Sequence, residues 1–142
     1  MNVSKEQALW FYRCMQEQRE FELKAYELFR SGKMPGFIHL YVGEEAVAAG
    51  VTAHLRKDDY VTSTHRGHGH ALAKGIPPRE ALAELMGTEG GCNGGRGGSM
   101  HLYKPEIGFL GTNGVVGAGI PIAEKPDAIV HYTGKAVKVS QP

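Results

Sequence analysis

The chain has 142 residues, a formal net charge of +1, and 42% hydrophobic against 22% charged residues. That balance excludes a disordered chain, and the near-neutral charge gives no basis for a general nucleic-acid or membrane-surface partner. There is no apolar run of the ~18 residues a membrane-spanning helix needs, and only two cysteines, Cys14 and Cys92, outside any CxxC pattern. The expectation is one domain in a reducing, cytoplasmic setting.

In chain order, residues 4–31 read as a long helix. Ser4 is an N-cap with Gln7 three residues on, a capping-box pattern. Leu9, Tyr12, Met15, Leu23, Tyr26 and Phe29 recur near helical spacing, and Gly32 stands where a left-handed residue ends a helix. After the loop 32-GKMPGFIHLY-41, an alanine-rich helix is predicted from about Gly43 to Leu55, with Ala46, Ala49, Gly50 and Ala53 allowing close approach. Lys57, Asp58 and Asp59 make a polar turn, and 60-YVTST-64 reads as a strand. It runs into RGHGHALAKG, read as a helix start. Pro77 and Pro78 open a further helix, 78-PREALAELMG-87. A loop with seven glycines between Gly87 and Gly98 follows. Residues 107–123 mix glycine with small apolar residues as a turn feeding a buried helix or strand, which periodicity does not separate. The run 127-DAIVHYTGKAVKVSQP-142 allows one or two strands. The alternation predicts an α/β fold, with helices on an incomplete, mainly parallel sheet.

Chemistry concentrates in three glycine-rich segments. In 64-THRGHGH-70 a strand ends, an Arg appears and a glycine-spaced turn opens a helix, a context for phosphate or diphosphate. Arg66 is the main anion contact and His65 a second donor, against the alternative of a solvated surface arginine. His65, His68 and His70 also form an H-x-x-H-x-H cluster that could hold zinc, though without a helical i, i+4 pair or nearby cysteine. In 94-GGRGGSMH-101 the readings are an RGG-type nucleic-acid segment, a loop closing over a ligand through Arg96, Ser99 and His101, or a mobile surface loop, which composition favours. In 113-NGVVGAG-119 the valines could pack on a heterocycle, although close packing of small residues explains the spacing as well.

Together, 36-GFIHLYVGEEA-46, 60-YVTSTHRGHGHALAKG-75, 91-GCNGGRGGSMHLY-103 and 111-GTNGVVGAGIPIA-123 resemble one family. It is the alpha subunit of thiamine-diphosphate-dependent 2-oxo acid dehydrogenases and acetoin dehydrogenases. THRGHGH, with histidine where the pyruvate and branched-chain enzymes usually carry tyrosine, is most similar to the acetoin branch. The resemblance implies that residues 1–123 are the N-terminal segment of a thiamine-diphosphate-binding fold and 124–142 a divergent tail.

The resemblance further implies that Arg66 holds the diphosphate of thiamine diphosphate, with His65 beside it. The backbone of Gly114 and Val116 would hydrogen-bond the aminopyrimidine, with Val115 between them also cofactor-binding. His39 and His101 would be catalytic, and Phe37, Arg96 and Ser99 would line the substrate channel. The implied chemistry is C–C cleavage of a 2-oxo acid or acetoin at the cofactor's thiazolium carbon, with the acyl group passed to lipoamide. The implied partners are a beta subunit and a lipoyl acyltransferase; a homo-oligomer is an alternative. Magnesium is expected in the family, but its Gly-Asp-Gly motif and following Asn are absent from these 142 residues. A truncated or rearranged relative, inactive alone, is therefore expected, with a non-enzymatic assembly module derived from the same fold as the alternative.

Overall fold

Ser4 starts the first helix by the expected exchange: its Oγ accepts the Gln7 N–H, and the Gln7 side chain accepts the Ser4 N–H. In the computed structural model, which describes residues 3–124, this helix is α1, Lys5–Arg30. Gly32, at φ 71°, turns the chain out of it. The face that α1 buries is not the apolar stripe of the sequence. Gln18, Phe21, Glu22 and Ala25 face inward, while Leu9, Tyr12, Leu23 and Tyr26 are exposed. Glu22 is inside because it engages His68, described below, while the Gln18 amide donates to Cys14 Sγ one turn earlier on the same helix.

The second helix, α2, is shorter than predicted, Glu45–Thr52. Glu45 begins it by accepting the Gly43 N–H on its own carboxylate, and a bidentate bond from Arg19 ties it to α1 at 2.6 and 3.0 Å. Ala48 and Ala49 are buried where α2 meets α1 and α3. Strand β1 is Val61–Thr64, and helix α3 is His68–Lys74, closed by Gly75 in the left-handed region. Helix α4 is Pro78–Leu85, with proline in its first turn as expected. Short 3-10 turns at Gly98–Met100 and Pro105–Ile107 lead to strand β2, Phe109–Asn113. The ambiguous stretch 107–123 is therefore strand, turn and then a short helix, α5, at Gly119–Glu124. The strands expected within 127–142 lie outside the described residues.

β1 and β2 pair in parallel, Val61 against Phe109 and Thr64 against Asn113. A parallel pair needs a crossover, and α3 and α4 supply it. The architecture is α/β with a two-stranded parallel sheet that is not closed. Its core joins Phe21 and Ala25 of α1, Ala71, Leu72 and Ile76 at α3, Ala81 and Leu85 of α4, and Leu102 and Phe109. Burying a side chain such as Phe109 contributes about 2–3 kcal/mol, and this core holds the loops above the strands in place. No described helix is long and apolar enough to cross a membrane.

Candidate functional site

The register of the sheet sets the site. Thr64 and Asn113 are the last paired residues of two parallel strands, so turns 65–67 and 114–117 leave side by side at the carboxyl ends. That edge is where open parallel sheets bind ligands. Gly67 makes the first turn possible: a Cβ there would overlap Thr112 of β2. On the second turn, Asn113 Oδ1 accepts the Val115 N–H at 2.8 Å, an Asx turn. Val115 and Val116 project outward, exposed.

The segment 37–41 lies across the first turn. Arg66 is exposed, and its Nη1 donates to the Leu40 carbonyl at 2.8 Å. His39 and His65 meet edge to face at 5.3 Å. Burial first, then the charges of His65, Arg66 and His68, push the His39 imidazole below its usual range. Phe37 beside them is 82% exposed, leaving a large apolar ring without cover.

Two polar networks hold this surface from below. Fully buried His68 places Nδ1 at 2.8 Å from Glu22 Oε1 and Nε2 at 2.9 Å from Ser99 Oγ. Ser99 in turn accepts the His39 N–H at 2.9 Å. One chain of contacts thus runs from α1 through α3 to the glycine loop and to His39, and Glu22 faces inward to end it. In the second network His70 lies between Ser63 Oγ at 2.7 Å and the Tyr41 hydroxyl at 3.0 Å. Burial lowers the His70 pKa and pushes the Tyr41 phenol up to about 12. Gly69 lets the Tyr41 ring close over α3, since a Cβ there would overlap that ring.

The loop 91–98 is ordered around a carboxylate. Buried Glu84 of α4 accepts three backbone N–H groups, from Asn93 at 2.7 Å, Gly95 at 2.9 Å and Gly97 at 2.6 Å. Gly91 must lack a side chain because a Cβ would collide with Glu84, and Gly97 because it would collide with His101. The mobile loop favoured by composition is therefore corrected: the glycines let the backbone wrap a buried anion. Arg96 is displayed outward between two anchored residues, Gly95 and Gly97. His101, exposed, stands beside Gly114, about 4 Å from where its Cβ would be.

Arg66, His65, His39 and Ser99 thus come together, and His101 joins Gly114. The three histidines of the H-x-x-H-x-H cluster do not converge. His65 faces His39, His68 faces Glu22, and His70 faces Tyr41. Among the described residues no group of three His, Cys, Asp or Glu side chains is placed to hold a metal. Sequence reasoning missed Glu84, Glu22, Tyr41 and Ser63. None of the four carried a local signal, because each acts through a partner distant in the chain or in a following segment.

Residues 13–140 match the dehydrogenase E1 component family. The chain is 52% identical over 123 residues to the alpha subunit of acetoin:2,6-dichlorophenolindophenol oxidoreductase of Bacillus subtilis (strain 168), covering 87% of this chain and 37% of that protein. The protein of the same description from Cupriavidus necator is 46% identical over 133 residues, covering 94% of this chain and 40% of that protein. The pyruvate dehydrogenase E1 component subunit alpha of Porphyra purpurea is 46% identical over 123 residues, covering 87% and 36%. The chain thus spans 40% or less of the length of these relatives.

Proposed function

Since the chain belongs to the dehydrogenase E1 component family, we propose that it forms the part of an alpha subunit that grips the diphosphate end of thiamine diphosphate, in an enzyme acting on acetoin or a 2-oxo acid. The observation that carries this reading is the convergence of four motif segments at the carboxyl ends of β1 and β2. The residues suit the group. Arg66 offers an exposed guanidinium, and His39 Nδ1 and His65 Nδ1 are buried with no hydrogen-bond partner among the described residues. Gly114 and Val116 are exposed, and Val115 and Val116 offer two uncovered apolar side chains.

When bound, thiamine diphosphate supplies a carbon nucleophile and an electron sink for C–C cleavage. The chain's own residues bind and orient it. Arg66 takes the anionic end through charge-assisted hydrogen bonds. His65 adds a ring donor beside it. Gly114 and Val116 hold the aminopyrimidine by backbone groups, and the side chains of Val115 and Val116 exclude water from its face. Phe37 and His39 shape the approach of the substrate, and His101 and Arg96 stand at the mouth. No magnesium ligand is assigned to these residues. The acetoin branch is favoured over the pyruvate branch by histidine at position 65 and by the relatives in Bacillus and Cupriavidus.

The uncovered faces of α1 (Leu9, Tyr12, Leu23, Tyr26) and α2 (Val47, Val51) support a second feature, contact with another chain. In the favoured reading that chain is a beta subunit, and in the assembly reading it is a second copy. Calorimetric titration with thiamine diphosphate and magnesium separates the two. Heat that vanishes in Arg66→Ala supports the cofactor reading. No heat, with a stable homo-oligomer by light scattering, supports the assembly reading.

A further inference from the structure

Two buried ring nitrogens at one loop crossing, His39 Nδ1 and His65 Nδ1, have no hydrogen-bond partner among the described residues. Their rings meet edge to face at 5.3 Å and 88°. A buried polar atom is normally partnered, because leaving it bare forfeits the hydrogen bond it makes in water. Arg66 follows His65 in the chain and donates to the carbonyl of Leu40, the residue after His39. One guanidinium and two under-satisfied imidazoles therefore share the crossing. The groups facing His39 are His65 and Arg66 from the turn and His68 from α3. Glu22 of α1 lies behind His68 and is engaged by it. From the glycine loop the neutral Ser99 hydroxyl accepts the His39 N–H. His65 faces His39 in turn and adjoins Arg66.

With no anion present this arrangement opposes protonation of His39, which a cation and a second imidazole adjoin. Burial and these neighbours hold His39 below the ordinary 6.5. An oxyanion at Arg66 reverses the sign. It lies near enough to favour imidazolium, and each Nδ1–H gains an acceptor. We propose that the crossing binds a multiply charged oxyanion together with a proton, the anion seated on Arg66 and the proton taken up by the His39–His65 pair. The proposal rests on the cofactor reading only for the identity of the anion, a diphosphate. Linkage is reciprocal: the anion raises the pKa of the pair, and affinity falls as pH rises, by about tenfold per pH unit where one whole proton is taken up.

The test is an NMR titration of the histidine ring signals of the 142-residue chain between about pH 5 and 8.5, the range in which imidazoles titrate. It is run alone, in sodium sulfate, and in thiamine diphosphate. Sulfate stays a dianion across this range and brings no titration of its own. The expected result is a rise of about one unit or more in the midpoint of at least one of His39 and His65 in sulfate, lost in R66Q. His54, which bonds the Gly50 carbonyl on α2, should not move. Midpoints unmoved by either anion overturn the proposal. Cofactor that binds by calorimetry without moving the pair overturns it too and leaves the cofactor reading standing. Sulfate that moves the pair in a chain that binds no thiamine diphosphate upholds proton-linked anion binding and overturns the cofactor reading. Assignment comes from backbone-correlated spectra of the wild-type chain, and the outcomes that overturn the proposal are read on that chain alone.

Discussion

Glu84 and Gly97 are joined by a 2.6 Å hydrogen bond in which a buried carboxylate accepts a backbone N–H, one of three that Glu84 takes from the glycine loop. The loop's shape is thus dictated from α4, and the position of Arg96 with it. Glu84→Ala leaves those N–H groups without their acceptor and should destabilise the chain by about 3 kcal/mol. Urea unfolding measures the loss. Hydrogen exchange at Gly95 and Gly97 should accelerate well beyond that of the core amides. Unchanged protection at those two residues would refute the templating role.

The glycines divide into two kinds that substitution tells apart. At Gly69 a methyl would overlap the Tyr41 ring, so Gly69→Ala should cost about 1–3 kcal/mol. At Gly50, inside α2, a Cβ meets nothing within 4 Å, so Gly50→Ala should stabilise by about 0.5–1 kcal/mol. Thermal unfolding of both variants, shifting in opposite directions, is the expected outcome.

Some of this was legible in the sequence. The Ser4 and Gln7 capping pair, the prolines at the start of α4 and the β-branched run of β1 each act through neighbours in the chain, and all three elements formed. The burial of α1 was not legible. Its inward face is decided by His68, which draws Glu22 inside, and by the exposure of Leu23 and Tyr26 on the far side. Such pairings span 46 residues and leave no local period. The same holds for the site. Arg66 and His65 are singled out by the turn that carries them, and the structure places that turn at the carboxyl end of β1, whereas Glu84 lies in an ordinary amphipathic helix and is tied to a loop that follows it.

The acid limb of stability should carry the mark of Glu45. The bond from Arg19 comes first among the causes that lower its pKa, from 4.5 to about 2. A depressed carboxylate contributes stability that is present above pH 4.5 and is lost as pH falls toward 2. In Arg19→Met the acid-unfolding midpoint should move to higher pH. His70, also depressed, adds a loss that begins below 6.5.

At the alkaline end the sign reverses. Burial raises Tyr41 from 10.0 to about 12, so its contribution is full below pH 10 and fades as pH rises toward 12. Ultraviolet titration should show a late tyrosine step near pH 12, and Tyr41→Phe should abolish it. Loss of the hydroxyl's bond to His70 should cost about 1 kcal/mol.

The account as a whole depends on where a thiamine diphosphate molecule settles. Amide chemical-shift mapping of the 142-residue chain, with thiamine diphosphate and magnesium added stepwise, locates it directly. The prediction is a single cluster of shifts at residues 37–41, 64–68, 99–101 and 113–117. Shifts confined to the groove between the start of α1 and the end of α2, lined by Val3, Trp10 and His54, or no shifts at all, would contradict it.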